Sequence, residues 1–582
     1  MLIFTFGYEG GYPFLMRIGK VTLLAGILFS ILIARIFYLE IVQGNFYYSL
    51  SNKNCIRLIP LEGARGRILD RNNEVIVDNQ ISYTVSVIPQ EFKQKASTLS
   101  QLALLLDTSA SSITKNIKKD FISSFTPVTV AKDVEKKTAF LIEENKLELP
   151  GVIVQIIPKR RYPYHDVASH LLGYLAKIDS WRITKLKEYG YTMKDCIGFG
   201  GIEESLEQLL RAQEGGTQIQ VDHRGRLHKV LGFKEPSSGK DVGLTIDIKV
   251  QKIIEEAFAG RKGAAVLIEP DTGEIIALVS SPGFYPGAFL EEESAEYVRS
   301  LLSHPDTPLI NRAITGQYPV GSVFKAISAT AALETNKITP DKRFFCPGKL
   351  MVGRKEFKCW STHGSQDLIE ALTHSCNVYF YHLAIMLGPD CLSEYALRFG
   401  FGRPTGIELP HEVSGHVPSV FGRRMKLRNW YDGDTANFGI GQGDLLVTPL
   451  QAARLMSLIA NGARGVKPTI IRKIGLQEIT PQPTAHLGIG PDGLKVVIEG
   501  LKQVVNAPTG TANIGWGDLK IAGKTGTAQV HTKLSHGWFC GFLPYDKPRI
   551  AFCFFLENTG PSINAVILAH QVFTKMKEEN LL

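Results

Sequence analysis

The stretch Tyr318-Pro319-Val320-Gly321-Ser322-Val323-Phe324-Lys325 runs directly into Ala326-Ile327-Ser328-Ala329-Thr330-Ala331-Ala332-Leu333. Pro and Gly punctuate its start, and the run behind them is Ala-rich and apolar, the pattern of a buried helix. That pattern predicts Ser322 in the first turn, with Lys325 three residues on along the same face. A serine hydroxyl is a weak nucleophile until a base takes its proton. A lysine can be that base where its surroundings keep it neutral. The N-terminus of the helix adds a positive field for a developing oxyanion.

Ser-x-x-Lys alone is a weak signal. The chain also carries Ser112-Ile113-Thr114-Lys115 and Ser237-Ser238-Gly239-Lys240, both in polar stretches. Two further motifs single out the first match. Ser375-Cys376-Asn377 comes next, and then Lys524-Thr525-Gly526-Thr527. The order Ser-x-x-Lys, Ser-x-Asn, Lys-Thr-Gly resembles that of the penicillin-binding and serine β-lactamase superfamily.

At 582 residues the chain is too long for one ordinary domain. Residues 21–34 carry no charge, and Ile36-Phe37-Tyr38-Leu39 extends the apolar run past Arg35. The run reaches about 20 residues, enough to cross a bilayer as one helix. A cleaved signal peptide is the alternative, but its apolar core would be shorter and end at a small-residue site. Arg17 and Lys20 precede the run, which predicts a cytoplasmic N-terminus and an extracytoplasmic bulk. The net charge of +9 is mildly basic, and no Lys/Arg block is long enough to argue for nucleic acid.

These features divide the chain into an anchor (1–43), a non-catalytic pedestal with an inserted subdomain (44–240) and a catalytic domain (241–582). In the pedestal, Asn72-Asn73 between apolar runs predicts a hairpin turn. The region 97–145, richer in helix formers, is the inserted subdomain. Charged residues of this region are read as buried Arg/Asp/Glu pairs joining segments, and His170 as a satisfied structural histidine. In the catalytic domain, helix 250–258 precedes two strands turning at Asp271-Thr272-Gly273. Core strands are predicted around Lys524, over Gly537-Trp538-Phe539-Cys540-Gly541-Phe542-Leu543 and over Arg549-Ile550-Ala551-Phe552-Cys553-Phe554-Phe555. Strands, then helices, then strands predict an α+β domain with helices packed on a sheet.

From about Arg65 onward the chain resembles the class B penicillin-binding proteins. The likeness is carried by residues 65–71, by Arg161-Tyr162-Pro163 with His170 and Gly173, by Gly198, Gly201 and Glu203, and by all three catalytic motifs. Gly439-Ile440-Gly441-Gln442-Gly443 with Thr448-Pro449-Leu450-Gln451 adds to it. The segment from Phe345-Cys346-Pro347-Gly348 to Cys359-Trp360, and Val504-Val505-Asn506-Ala507-Pro508-Thr509-Gly510-Thr511-Ala512, are most similar to the elongation branch, penicillin-binding protein 2. Val320 stands where relatives often carry a second proline. The resemblance implies an elongated pedestal and a transpeptidase domain with an antiparallel sheet covered by helices on both sides. It implies Ser322 as the nucleophile acylated by a D-Ala-D-Ala stem peptide or a β-lactam, and Lys325 as its base. Ser375 and Asn377 would relay protons and hold the peptide, and Lys524 would supply positive charge. Thr525 and Thr527, on either side of Gly526, would bind the substrate carboxylate, and the N–H groups of Ser322 and Thr527 would form the oxyanion hole. The implied partner is a RodA-type glycan polymerase of the elongation complex in the inner membrane.

The catalysis needs no cofactor. Of eight scattered cysteines, however, Cys346, Cys359 and Cys376 group with His363. Cys₃His is the ligand set of a closed structural zinc site. The other readings are a Cys346–Cys359 disulfide and unlinked thiols. Cys540 and Cys553 fall in core strands and read as small buried apolar residues. The rival functions are a β-lactamase or β-lactam sensor, a D,D-carboxypeptidase in which water replaces the acceptor amine, a septal transpeptidase, and a non-catalytic scaffold. No Glu-x-x-x-Asn segment is placed to activate a hydrolytic water, and the intact Ser322, Lys325 and Lys524 argue against a scaffold.

Overall fold

A computed structural model describes residues 12–48, 56–92, 96–119, 121, 127–189, 191, 195–221, 227–425, 427–481, 484–530 and 533–582. Cys55, residues 1–11 and residues 222–226, which include His223 of the pedestal, lie outside the described residues. A helix Tyr12–Phe37 continues as a short π-helical turn Tyr38–Val42. Within it Val21–Val42 has mean hydropathy 2.2 and no residue buried against protein. A helix this long and this apolar, with none of its described span buried, suits a bilayer.

The chain packs as two compact units that interleave in sequence, Met1–Gly63 with Ile81–Pro158 and Gln213–Ser237, and Ala64–Gln80 with Lys159–Ala212 and Ser238–Leu582. The first holds a three-stranded antiparallel sheet, Ile56–Leu61, Gly215–Val221 and Leu227–Lys234. It also holds the helices Ala96–Leu105, Ala110–Lys119 and Lys136–Glu144 of the expected inserted subdomain, around Val85, Val87, Leu102, Ile113, Ile117 and Ile142. Ser112 and Lys115 belong to the second of these helices. They ride on an amphipathic surface helix that buries only Ile113 and Ile117, with no catalytic partner motif beside them.

The second unit begins with the charged residues of the pedestal. Asp70 takes the N–H groups of Asn72 (2.7 Å) and Glu74 (2.8 Å), closing the predicted turn between Ile68–Leu69 and Val75–Val87. Glu203, fully buried, pairs with both Arg65 (2.6 Å) and Arg160 (2.8 Å). Arg65 also reaches Glu207 at 2.6 Å. The family likeness runs through Arg161, but the buried guanidinium is that of Arg160, and Arg161 is exposed. Along the strand Val152–Arg161 successive side chains face opposite ways, so only one of the two can point inward. His170 is buried, bonded to the Pro308 carbonyl at 2.6 Å, and burial lowers it to about 4.

The catalytic part is built on a five-stranded sheet of β1 (Gly263–Ile268), β2 (Ile275–Ser281), β3 (Ala522–Val530), β4 (Lys533–Leu543) and β5 (Ile550–Leu556). Its order is β2-β1-β5-β4-β3, antiparallel throughout. Every residue of β5 is buried, as a central strand covered on both faces requires. Its helices include α1 (Ile248–Phe258), α2 (Lys325–Glu334), α3 (Leu368–Thr373), α4 (Asn377–Leu387), α5 (Asp432–Gly439), α6 (Pro449–Ala460), α7 (Pro491–Asn506) and α8 (Ile563–Glu578). Phe539, Phe552 and Phe554 face a core shared with α1 and α8. Val266, Cys540, Cys553 and Phe555 face the larger core that holds α2, α4 and α6. The expected α+β architecture, with helices on both faces of an antiparallel sheet, is present.

Removing the Glu203 carboxylate leaves the buried guanidinium of Arg160 without its counter-ion and Arg65 with Glu207 alone, and such a loss costs about 3–5 kcal/mol. Glu203→Ala is therefore expected to lower the thermal midpoint by several degrees; an unchanged midpoint would show that the network does not carry the fold.

Candidate active site

Three segments of the second unit meet at the N-terminus of α2. The first is the Ser322 turn. Gly321–Phe324 forms a 3₁₀ turn and the α-helix starts at Lys325, so Ser322 lies one tight turn ahead of the helix expected to contain it. The helix is buried on nearly all sides, as its Ala-rich sequence permits. Its buried hydroxyls are satisfied by carbonyls: Ser328 donates to Gly439 and Thr330 to Ala326, both at 2.8 Å. The turn is held by Gly321 N–H on the Gly441 carbonyl (2.9 Å) and by the Trp538 indole N–H on the Pro319 carbonyl (3.0 Å). Ser322 is partly exposed, whereas Lys325 is 0% exposed.

The second segment is the sharp turn between α3 and α4. Helix α3 begins in a capping box formed by Asp367 and Glu370. At its far end Ser375 N–H bonds the Leu372 carbonyl (3.2 Å) and Cys376 N–H that of Ala371 (2.9 Å). This is the Schellman pattern, which places the residue after the cap in the left-handed region, usually as glycine. Here that residue is Ser375, at φ 53°. A side chain in that conformation costs roughly 1–2 kcal/mol, and in return a hydroxyl is aimed at the lysine. Lys325 Nζ donates to the Ser375 carbonyl (2.8 Å), the Ser375 hydroxyl (3.2 Å) and Asn377 Oδ1 (2.7 Å). Cys376, next in the chain, is the N-cap of α4.

The third segment is β3. Lys524 is 0% exposed, and among the described residues its Nζ finds only the Thr525 carbonyl, at 3.3 Å. Gly526 lies against the Ser322 turn. A Cβ there would stand 2.6 Å from the Val320 carbonyl oxygen, so glycine is needed for the strand to approach. Thr527 is exposed and bonded to the Ser562 hydroxyl (3.1 Å), with Gln442 Nε2 on its carbonyl (3.2 Å). Thr525 is buried, its hydroxyl 2.7 Å from that of Thr511.

Two buried amines thus share one cleft. Burial pulls Lys325 down to about 8, although Cys376 and Cys359 act the other way. Burial also pushes Lys524 well below the usual lysine range, and the charge of Lys325 pushes it further.

Beside this turn, one ligand atom each of Cys346, Cys359, His363 and Cys376 lies within 4.8 Å of the others. His363 Nδ1 is 3.6 Å from Cys346 Sγ and 3.5 Å from Cys359 Sγ. Cys359 also accepts the Asn377 N–H at 3.2 Å. Hydrogen bonding from Cys376 and from backbone N–H groups holds the Cys359 thiol well below its usual range, while the same pairing pushes Cys376 up. Cys346, Cys359 and Cys376 are thiols here, not a disulfide. Convergent sulfurs, one already suited to thiolate, with an imidazole nitrogen turned toward them, fit a tetrahedral metal site.

All three catalytic motifs predicted from sequence are therefore brought to one cleft. A penicillin-binding protein transpeptidase domain model matches residues 263–576, and a penicillin-binding protein dimerisation domain model matches residues 60–244. The chain belongs to the penicillin-binding protein transpeptidases. Among its relatives in this family is the peptidoglycan D,D-transpeptidase MrdA of Haemophilus influenzae, 32% identical over 95% of this chain and 89% of that protein. Among solved structures, the penicillin-binding protein PBP2 of Helicobacter pylori in complex with MreC matches with TM-score 0.79 and 28% identity, over 90% of this chain and 99% of that one. A chain from a peptidoglycan synthase complex that coordinates polymerization and crosslinking matches with TM-score 0.74 and 27% identity, over 96% of this chain and 98% of that one. As a penicillin-binding protein, the chain has its Ser-x-x-Lys motif on a turn, its Ser-x-Asn motif at a helix junction and its Lys-Thr-Gly motif on a strand.

Proposed function

We propose that this protein is the peptidoglycan D,D-transpeptidase of cell-wall elongation, with Ser322 as its nucleophile. The observation that carries the reading is the buried Lys325, bonded at once to Ser375 and Asn377 and one helical turn from Ser322. Ser322 Oγ attacks the carbonyl carbon of the penultimate D-Ala, and its proton passes to neutral Lys325 Nζ. The oxyanion lies between the N–H groups of Ser322 and Thr527. The C–N bond then breaks, and the departing amine of the terminal D-Ala takes the proton from Lys325 through the Ser375 hydroxyl. The amine of a second stem peptide attacks the ester, forms the crosslink and returns the proton to Ser322. Lys524, Thr525 and Thr527 hold the carboxylate of the leaving D-Ala, a β-lactam carboxylate takes the same place, and Gly526 keeps the strand close enough to do so.

The MrdA and PBP2 relatives favour the elongation role over a carboxypeptidase, a sensor or a septal enzyme. A partner of the RodA polymerase type and an MreC-like scaffold accord with the related complexes. The apolar N-terminal helix supports a single-pass anchor, with the basic residues before it on the cytoplasmic side of the inner membrane. Cys346, Cys359, His363 and Cys376 would hold a structural zinc ion that fixes the loop carrying Ser375.

Intact-mass analysis after benzylpenicillin is expected to show one adduct, lost in Ser322→Ala; an adduct on Ser112 or Ser237 would overturn the assignment. For the metal, the protein is expected to contain about one equivalent of zinc. Cys376→Ser should lose it, lower the thermal midpoint and slow acylation. Full acylation and stability in a zinc-free wild type would contradict the site.

A further inference from the structure

The segment 507–512 opens the connection from α7 to β3, and it touches both arms of the cleft. It is tied down on its own side. Ala512 N–H bonds the Val504 carbonyl at 2.9 Å, and the Trp516 indole N–H bonds the Ala512 carbonyl at 2.8 Å. A Cβ at Gly510 would stand 2.4 Å from the Val504 oxygen, so the loop is pressed against the end of α7. On one side Thr509 Oγ1 meets His374 Nε2 at 2.9 Å. The neighbours fix the tautomer. Gln366 Nε2 donates to the carbonyls of His363 and Ser365, so Gln366 Oε1 is the atom at 2.6 Å from His374 Nδ1 and accepts its proton. Nε2 of the neutral ring then accepts from Thr509. On the other side Thr511 Oγ1 lies 2.7 Å from Thr525 Oγ1. The loop is thus anchored to the residue before Ser375 and to the residue after Lys524.

We propose that Thr511 is a positioning residue that makes the cleft selective for ligands bearing a free carboxylate. The inference rests on the reading of Thr525 as a carboxylate-binding residue. Each hydroxyl has one proton to give. A carboxylate only accepts, so Thr525 must direct its proton to the ligand, and the 2.7 Å contact must then run from the Thr511 O–H to the Thr525 oxygen. The two hydroxyls form a short chain that polarises toward the anion. Without Thr511 the Thr525 hydroxyl has no fixed direction. With Thr511 unable to donate, the ligand loses an aligned bond to a charged group while the acylation machinery at Ser322 and Lys325 stays in place.

The test compares second-order acylation rate constants for benzylpenicillin and for its methyl ester, on the full chain in detergent. Thr511→Val is close in shape and lacks the hydroxyl. It is expected to slow benzylpenicillin about tenfold and the ester by less than about twofold, while Thr511→Ser keeps the wild-type preference. If valine distorts the loop, Thr511→Ala replaces it with the same pattern expected. Equal loss toward both compounds, or no loss toward either, overturns the proposal while leaving Ser322 as nucleophile. A wild type that neither compound acylates overturns this inference together with the reading it rests on.

Discussion

The placement of two buried lysines in one cleft is the constraint on which this site depends. Lys325 and Lys524 are both fully buried and close enough for one charge to disfavour the other. Two ammonium groups cannot both be kept there at neutral pH without a counter-ion. No carboxylate bonds either lysine among the described residues; the acceptors are carbonyls, a hydroxyl and an amide. The site therefore keeps an amine ready to take a proton, and its charge suits one anion, the carboxylate of a substrate.

Holding that arrangement costs energy, which the surroundings offset. Lys325 comes from a helix buried on nearly all sides, and Lys524 from a strand directly beside β4 in a five-stranded sheet. The row from Lys524 through Cys540 to Cys553 crosses three strands and is apolar after the lysine. Ser375 occupies a left-handed position that glycine would take more easily. It stays there because the Schellman turn that ends α3 leads straight into α4, with Cys376 giving its N–H to the Ala371 carbonyl at the junction. The group of Cys346, Cys359, His363 and Cys376 braces that same turn.

Much of this is legible in the sequence, for identifiable reasons. The Ala-rich run after Ser322 has no polar face to expose, so a buried helix is its natural outcome. The central strands read clearly because both of their faces are buried. The convergence of Cys346, Cys359, His363 and Cys376 is readable from residue type alone. Local geometry is what the chain does not announce. The 3₁₀ turn at Ser322 and the left-handed Ser375 depend on hydrogen bonds made after the elements pack. The choice of Arg160 over Arg161 depends on the phase of a strand that is only partly buried. The bonds from Thr509 and Thr511 join residues 135 and 14 positions apart, respectively. Family likeness marks that segment, but only packing shows what its hydroxyls touch.

The central claim, that Ser322 is activated by a neutral Lys325, is tested most directly by the pH dependence of acylation in the wild type. Lys325 lies near about 8 in the folded protein, below the ordinary lysine value. Below that pH it carries a proton and cannot accept another; above it the free amine is present. The acylation rate constant is therefore expected to rise about tenfold per pH unit from acid and to level off above about pH 8. A rate that is flat across that range, or that falls as the amine is freed, would contradict the account.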